Sequence, residues 1–201
     1  MKQLIITLLS IVVATTVSAQ ELRWGATGAL NFSWARSSVN SSDAYIGFNA
    51  GVKAEMDFSD YITDGFYLDG RLLYTLKGGR WAGLHQNLGY LELPVTLGYR
   101  YRVADGVALF GGLGPYLGWG VLGKNVLKEG GSKTKTDLFG ESYKRFDWGL
   151  NYQLGVELYS NWQVFLGFEH SLMNIMKSNY DGNDGAKIRP LNFYIGTAYM
   201  F

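Results

Sequence analysis

Over residues 46–58 the chain alternates strictly between two kinds of side chain. Ile46, Phe48, Ala50, Val52, Ala54, Met56 and Phe58 take one parity, and Gly47, Asn49, Gly51, Lys53, Glu55 and Asp57 take the other. Successive side chains of a strand point to opposite faces, so this period of two predicts a strand. The run outlasts the usual soluble strand of about 5–6 residues. It suits a tilted strand crossing a bilayer, which needs about 9–11 residues with apolar side chains toward lipid and polar ones toward the lumen.

Seven more segments repeat the pattern. Residues 22–34 set Leu22, Trp24, Ala26, Leu30, Phe32 and Trp34 against Arg23, Thr27, Asn31 and Ser33. Residues 66–77 set Phe66, Leu68, Leu72, Tyr74 and Leu76 against Asp69, Arg71, Thr75 and Lys77. A fourth strand sets Leu91, Leu93, Val95, Leu97, Tyr99 and Tyr101 against Glu92, Thr96, Arg100 and Arg102. The fifth, 107–121, backs Leu109, Leu113, Leu117 and Trp119 with small residues, interrupted by Phe110 and Tyr116. A sixth sets Phe146, Trp148, Leu150, Tyr152, Leu154, Val156 and Leu158 against Asp147, Asn151, Gln153 and Glu157. The seventh sets Val164, Leu166, Phe168 and Leu172 against Gln163, Glu169 and Ser171, and the last points Leu191, Phe193, Ile195, Tyr199 and Phe201 outward. No linker divides these segments. The prediction is an all-β fold: one eight-stranded antiparallel up-and-down transmembrane β-barrel, with an apolar lipid-facing exterior and a charged, filled lumen.

Connection lengths agree with that topology. Those at 59–64, 104–106 and 160–162 are short, whereas 36–44, 78–87, 122–145 and 174–187 are longer. Outer-membrane barrels have short periplasmic turns and longer external loops. The long connections are therefore assigned to the outside.

Charge sharpens the picture. The inward parity carries Arg23, Lys53, Arg71, Lys77, Arg100 and Arg102, with Glu55, Asp57, Asp69, Glu92, Asp147, Glu157 and Glu169; the outward parity carries no charge within the lipid-crossing parts. An Arg or Lys on the lipid face costs about 2–4 kcal/mol at the midplane. A soluble barrel would show the inverse arrangement. Because an eight-stranded lumen is just wide enough for side chains to fill it, these charges are expected to pair and plug it. The expected network centres on Arg71 and Arg100, with Glu55, Glu92, Glu157 and Glu169; a conducting channel is the alternative. Outward aromatics form two belts: Trp24, Phe58, Phe66, Tyr99, Tyr101, Trp162 and Phe201 near the short turns, and Trp34, Tyr74, Trp119, Phe146 and Trp148 near the long loops. Such rings favour the headgroup level.

The ends of the chain fit export. Lys2, the apolar run 4–13 and Val17-Ser18-Ala19 read as a cleaved leader, residues 1–19, with cleavage between Ala19 and Gln20 and a barrel domain over 20–201. There is no cysteine, so disulfides and thiolate metal sites are excluded. No apolar run outside the leader is long enough for a membrane-spanning helix. A net charge of +1 gives no sign of a nucleic-acid binder. The 27 glycines and three prolines suit a barrel.

With these residues in view, the sequence resembles the Bacteroidetes outer-membrane β-barrel family that includes PorT-like proteins. The resemblance is carried by Ser18-Ala19-Gln20, Tyr90-Leu91-Glu92-Leu93-Pro94-Val95, Gly111-Gly112-Leu113-Gly114-Pro115-Tyr116 and Ala198-Tyr199-Met200-Phe201. It covers essentially the whole mature chain, and its motifs are signatures of fold rather than catalysis. It implies an outer-membrane location and insertion by the barrel assembly machinery, with Tyr199 and Phe201 as the C-terminal insertion signal.

Candidate chemistry is sparse. Glu169-His170-Ser171 has the residue types of a lipid A deacylase site, but parity turns His170 toward lipid while Glu169 and Ser171 face the lumen, so no triad forms on one face. His85 lies in a long loop without a nearby acid. No metal or cofactor is expected. The outer loops hold more bases than acids, including Arg36, Lys124, Lys144, Arg145 and Arg189, a rim suited to lipopolysaccharide phosphates or an acidic partner. The expected function is non-enzymatic: a monomeric structural or interaction barrel presenting external loops to an unidentified protein partner. A lipid A-modifying enzyme, or a narrow pore or PorT-like secretion component, is the alternative.

Overall fold

The computed structural model describes residues 22–37, 42–59, 62–81, 84–129, 132–139, 143–177 and 188–201. The expected leader, with Ala19 and Gln20, lies outside the described residues. The strands are β1 (Leu22–Ser37), β2 (Tyr45–Asp57), β3 (Phe66–Trp81), β4 (Leu84–Ala104), β5 (Val107–Glu129), β6 (Ser132–Asp137), β7 (Phe146–Leu158), β8 (Trp162–Ser171) and β9 (Ile188–Met200). Eight of them close an antiparallel barrel through β4–β5 pairing, in the order β4-β3-β2-β1-β9-β8-β7-β5, while β6 pairs, among the described residues, only with the outer end of β5.

Closure joins first strand to last: β1 runs against β9 from Gly25↔Met200 to Ser37↔Ile188. Without it, unpaired backbone groups would face lipid at several kcal/mol each. Leu30, Val52, Leu72, Leu97, Leu113, Leu154, Leu166 and Ile195 are exposed on the outside, as a lipid-facing surface must be. The polar parity is buried: Lys53, Glu55, Asp69, Arg71, Lys77, Glu92, Asp147, Glu157 and Glu169 all lie within the lumen. The core of this protein is therefore charged and its exterior apolar.

The turns at the short-connection end are tight. Gly65 and Gly106 adopt positive φ of 92° and 73°, and Tyr159 and Ser160 enter the same region at 51° and 61°. Tyr159 and Ser160 are the central residues of a turn closed by the Asn161 amide on the Leu158 carbonyl (3.2 Å), within the three-residue connection between paired Leu158 and Trp162. Two consecutive positive φ values there match the right-handed twist of the flanking strands.

Two expected loops are different in the structure. Residues 78–81 and 84–87 extend β3 and β4, paired up to Trp81↔Leu84. The outer part of 122–145 continues β5 and returns as β6, from Lys124↔Asp137 to Glu129↔Ser132. Alternation fades there because both faces of a strand beyond the membrane meet water, while backbone pairing needs no apolar face. The β3–β4–β5–β6 sheet thus stands above the barrel wall.

Candidate functional site

The lumen is filled in successive layers by side chains from facing strands. In the layer nearest the short turns, Glu55 binds Arg100, Arg23 (3.3 Å) and Lys53 (3.3 Å). Glu157 meets the same Arg100 and Arg23 at 3.1 and 3.5 Å. Gln163 bridges them: its Nε2 donates to Glu157 (2.7 Å) and Glu55 (3.2 Å), and its Oε1 accepts from Lys53 (2.7 Å). The Arg100 guanidinium lies 4.9 Å from the centre of the Tyr67 ring. Arg23 also donates to the Ser160 carbonyl, tying the strand to the β7–β8 turn.

The middle layer joins Lys53 to Asp69 (2.9 Å) and Asp69 to Arg71 (3.4 Å). Arg71 donates to the Tyr194 and Thr96 hydroxyls, both at 3.4 Å. Tyr194 donates in turn to Asn151 Oδ1 at 2.6 Å, and Asn151 Nδ2 donates to Thr96 at 3.0 Å. Tyr67, Phe110, Phe165, Tyr194, Ala29 and Ala198 pack around these groups as an apolar cluster. Charges in this setting persist because each has opposite charges and donors around it; unpaired, they would be costly to bury.

In the upper layer, Lys77 serves two carboxylates, Glu92 at 2.5 Å and Glu169 at 2.7 Å. Its ammonium also sits 4.9 Å from the Tyr116 ring centre. Tyr116 and Ser171 hydroxyls donate to Asp147, and Asn192 donates to Glu169 at 3.0 Å.

Above Lys77 an apolar cap closes the mouth. Leu88, Tyr90, Leu138, Phe139, Tyr143, Ile175 and Ile188 form one buried cluster. Phe139 meets Tyr90 edge-to-face at 5.6 Å and rests over Gly120 and Gly123, where an added Cβ would collide with its ring. Backbone bonds from Tyr143 to Leu138, Lys144 to Ile175 and Ile175 to Ile188 hold the segment across the opening. One cavity beneath it, lined by Lys77, Tyr90, Tyr143 and Ile188 among others, is about 10 Å³, room for a single water at most.

The expected lumen residues divide. Arg23 and Arg100 line the lower mouth, and nine others are buried, but Asp57 and Arg102 are exposed at the rim. Parity sets the face of a residue and not its depth, and both stand at the water-open strand ends; Asp57 accepts from the Ser59 amide at 2.7 Å. The expected centre also changes. Arg100 does bind Glu55 and Glu157, whereas Arg71 pairs with Asp69, and Glu92 and Glu169 converge on Lys77. The shear between strands decides which inward residues meet, and no single strand encodes it.

Sequence reasoning also missed the inward aromatics Tyr67, Tyr90, Phe165 and Tyr194. Each shares the parity of the charges, so alternation alone contained the signal. The cap residues Phe139, Tyr143 and Ile175 belong to no periodic run and left none. At the triplet, His170 is outward and half-buried, opposite Leu150 and Leu191. Ser171 and Glu169 are committed inside to Asp147 and Lys77. The side chain of His85 lies outside the described residues.

A closed, antiparallel barrel with a charged interior and an apolar exterior defines an integral outer-membrane protein. The chain belongs to the outer membrane protein beta-barrel domain family, whose model matches residues 4–201. Among solved structures it is similar to Ail, the attachment invasion locus protein of Yersinia pestis, at 18% identity over 89% of this chain and 98% of that one, TM-score 0.46. It is similar to Neisserial surface protein A at 14% identity over 89% and 97%, TM-score 0.49. It is likewise similar to the outer membrane enzyme PagL at 12% identity over 83% and 98%, TM-score 0.37. These likenesses are of fold alone. No curated protein sequence matches it significantly.

Proposed function

We propose that this protein is a closed, non-conducting outer-membrane barrel that acts by contact, through the sheet it raises above the membrane. The observation that carries this is the filled lumen: the Glu55–Arg100 layer, the Asp69–Arg71 layer, the Lys77 layer and the Phe139 cap obstruct it in series. A pore would need a continuous polar path past all four. The outer ends of β3, β4, β5 and β6 form a sheet whose outer edge strand, β6, pairs on one side only among the described residues. A strand edge of that kind suits pairing with an extended segment of a partner. A narrower place among Bacteroidetes, PorT-like barrels is the finer form of this proposal, and rests on the Tyr90–Val95 and Gly111–Tyr116 motifs.

The test is planar-bilayer recording with purified, folded protein. The expected result is no stable conductance step at any applied potential. Reproducible unitary steps would establish a pore and overturn the proposal. The enzymatic alternative is separated by mass spectrometry of lipid A from cells with and without the protein, where identical spectra are expected.

A further inference from the structure

The register of barrel closure sets Arg36 of β1 directly opposite Arg189 of β9. Both are exposed. Their neighbours settle the face: Ser33 and Ile188 are buried inside, Trp34 and Leu191 alternate outward below them, and Phe32 meets Phe193 one step lower at 6.3 Å. Two like charges directly opposite on one face of an antiparallel pair destabilise it. Among the described residues neither arginine has an acidic partner, Asp43 included.

Depth identifies what meets them. Trp24 and Trp34 mark the two aromatic belts on β1. Ten residues at about 3.4 Å rise, tilted by about 40°, span roughly 25 Å, the height of the apolar band of such barrels. Arg36 stands one outward position beyond Trp34, about 5 Å higher on the same reckoning. That is the headgroup level of the outer leaflet, which in an outer membrane carries phosphorylated glycolipid. Cross-strand partners lie about 4.5–5.5 Å apart at Cα, so two guanidinium forks can close on one tetrahedral anion with paired N–H···O bonds.

We propose that Arg36 and Arg189 form a clamp for a phosphate of the outer-leaflet glycolipid. The anion turns a repulsive pair into a bridge across β1–β9, the seam where the first strand meets the last. The inference rests on the outer-membrane setting and not on the closed lumen, so a conducting barrel would leave it standing.

The test uses the full mature protein, folded in a phosphate-free maltoside detergent and titrated with bis-phosphorylated lipid A or with the same glycolipid stripped of its phosphates. The parent should bind the phosphorylated form about tenfold more tightly, the discrimination expected of charge-assisted bonds to one anion. The R36Q/R189Q double variant should lose that preference, and each single variant should lose part of it. R102Q removes an exposed base at the opposite, short-turn rim and should keep it whole. Folding of every variant is checked by heat-modifiable mobility, and the exposed single substitutions serve if the double one fails to fold. Equal affinity of the parent for both lipids would overturn the clamp. So would retention of the preference in the R36Q/R189Q variants, or an equal loss in R102Q, which would signify diffuse charge.

Discussion

Tyr194 on β9 stands directly opposite Gly167 on β8, and its ring covers the glycine so closely that a Cβ at 167 would overlap the ring atoms. From there the hydroxyl reaches Asn151 and Arg71. Tyr67 over Gly98 and Phe110 against Gly155 repeat the arrangement. Glycine in this wall makes room for a lumen aromatic, and the aromatic positions the polar layer. The G167A variant should therefore lose about 1–3 kcal/mol through overpacking, read as a lower urea midpoint for folding into lipid vesicles. An unchanged midpoint would show that Tyr194 has another place to go.

Lys77 is the cation shared by Glu92 and Glu169. Replacing it with Met strands two buried carboxylates, at a cost of about 3–5 kcal/mol. Adding E92Q and E169Q should recover most of the loss, because the uncompensated charge goes with them. Urea titration of K77M and of the triple variant in the same vesicles provides the check, and failure of the rescue would point to packing rather than charge.

The cap is an addition to the barrel, so it can be displaced without unfolding the wall. Gly120 lies under Phe139, and G120V should lift the segment that carries it. Trypsin should then cut at Lys144 and Arg145 faster in outer-membrane vesicles, while heat-modifiable mobility stays normal. Conductance should remain absent, since the Lys77 layer lies intact beneath.

The backbone amide of Phe201 donates to Trp24, and its ring meets Tyr199 at 5.7 Å on the outward face. If the final residues are the signal read during assembly, F201D or deletion of Phe201 should reduce folded protein in outer-membrane fractions well below the level of F58D. Both changes spoil one aromatic-belt position, but only the first touches the chain end. Equal losses would reduce Phe201 to one more ring of the belt.

The mature chain is expected to begin at Gln20. Intact-mass and peptide mass spectrometry of protein extracted from outer membranes should find a chain beginning at Gln20, with the free amine or cyclised to pyroglutamate, and a chain retaining residues 1–19 would exclude cleavage there.

Alternation by itself determined which side of each strand faces lipid. Val52 and Lys53 are neighbours in sequence and lie on opposite sides of the wall because a pleated strand leaves no other choice. Lipid rejects charge strongly enough for the two parities to separate cleanly, and the strand count and the need to close the edge followed from the same physics. The charge partners were decided only by tertiary structure. Lys77 meets Glu92 and Glu169 from two other strands, and Arg36 meets Arg189 across nearly the whole chain, through a shear that belongs to the closed barrel and to no segment of it. The cap was likewise hidden: Phe139, Tyr143 and Ile175 have no period, and their burial comes only from folding across a mouth that exists once the barrel has closed. Asp57 and Arg102 show the limit from the other side, since parity assigns a face while depth in the membrane decides whether that face is sealed or wet.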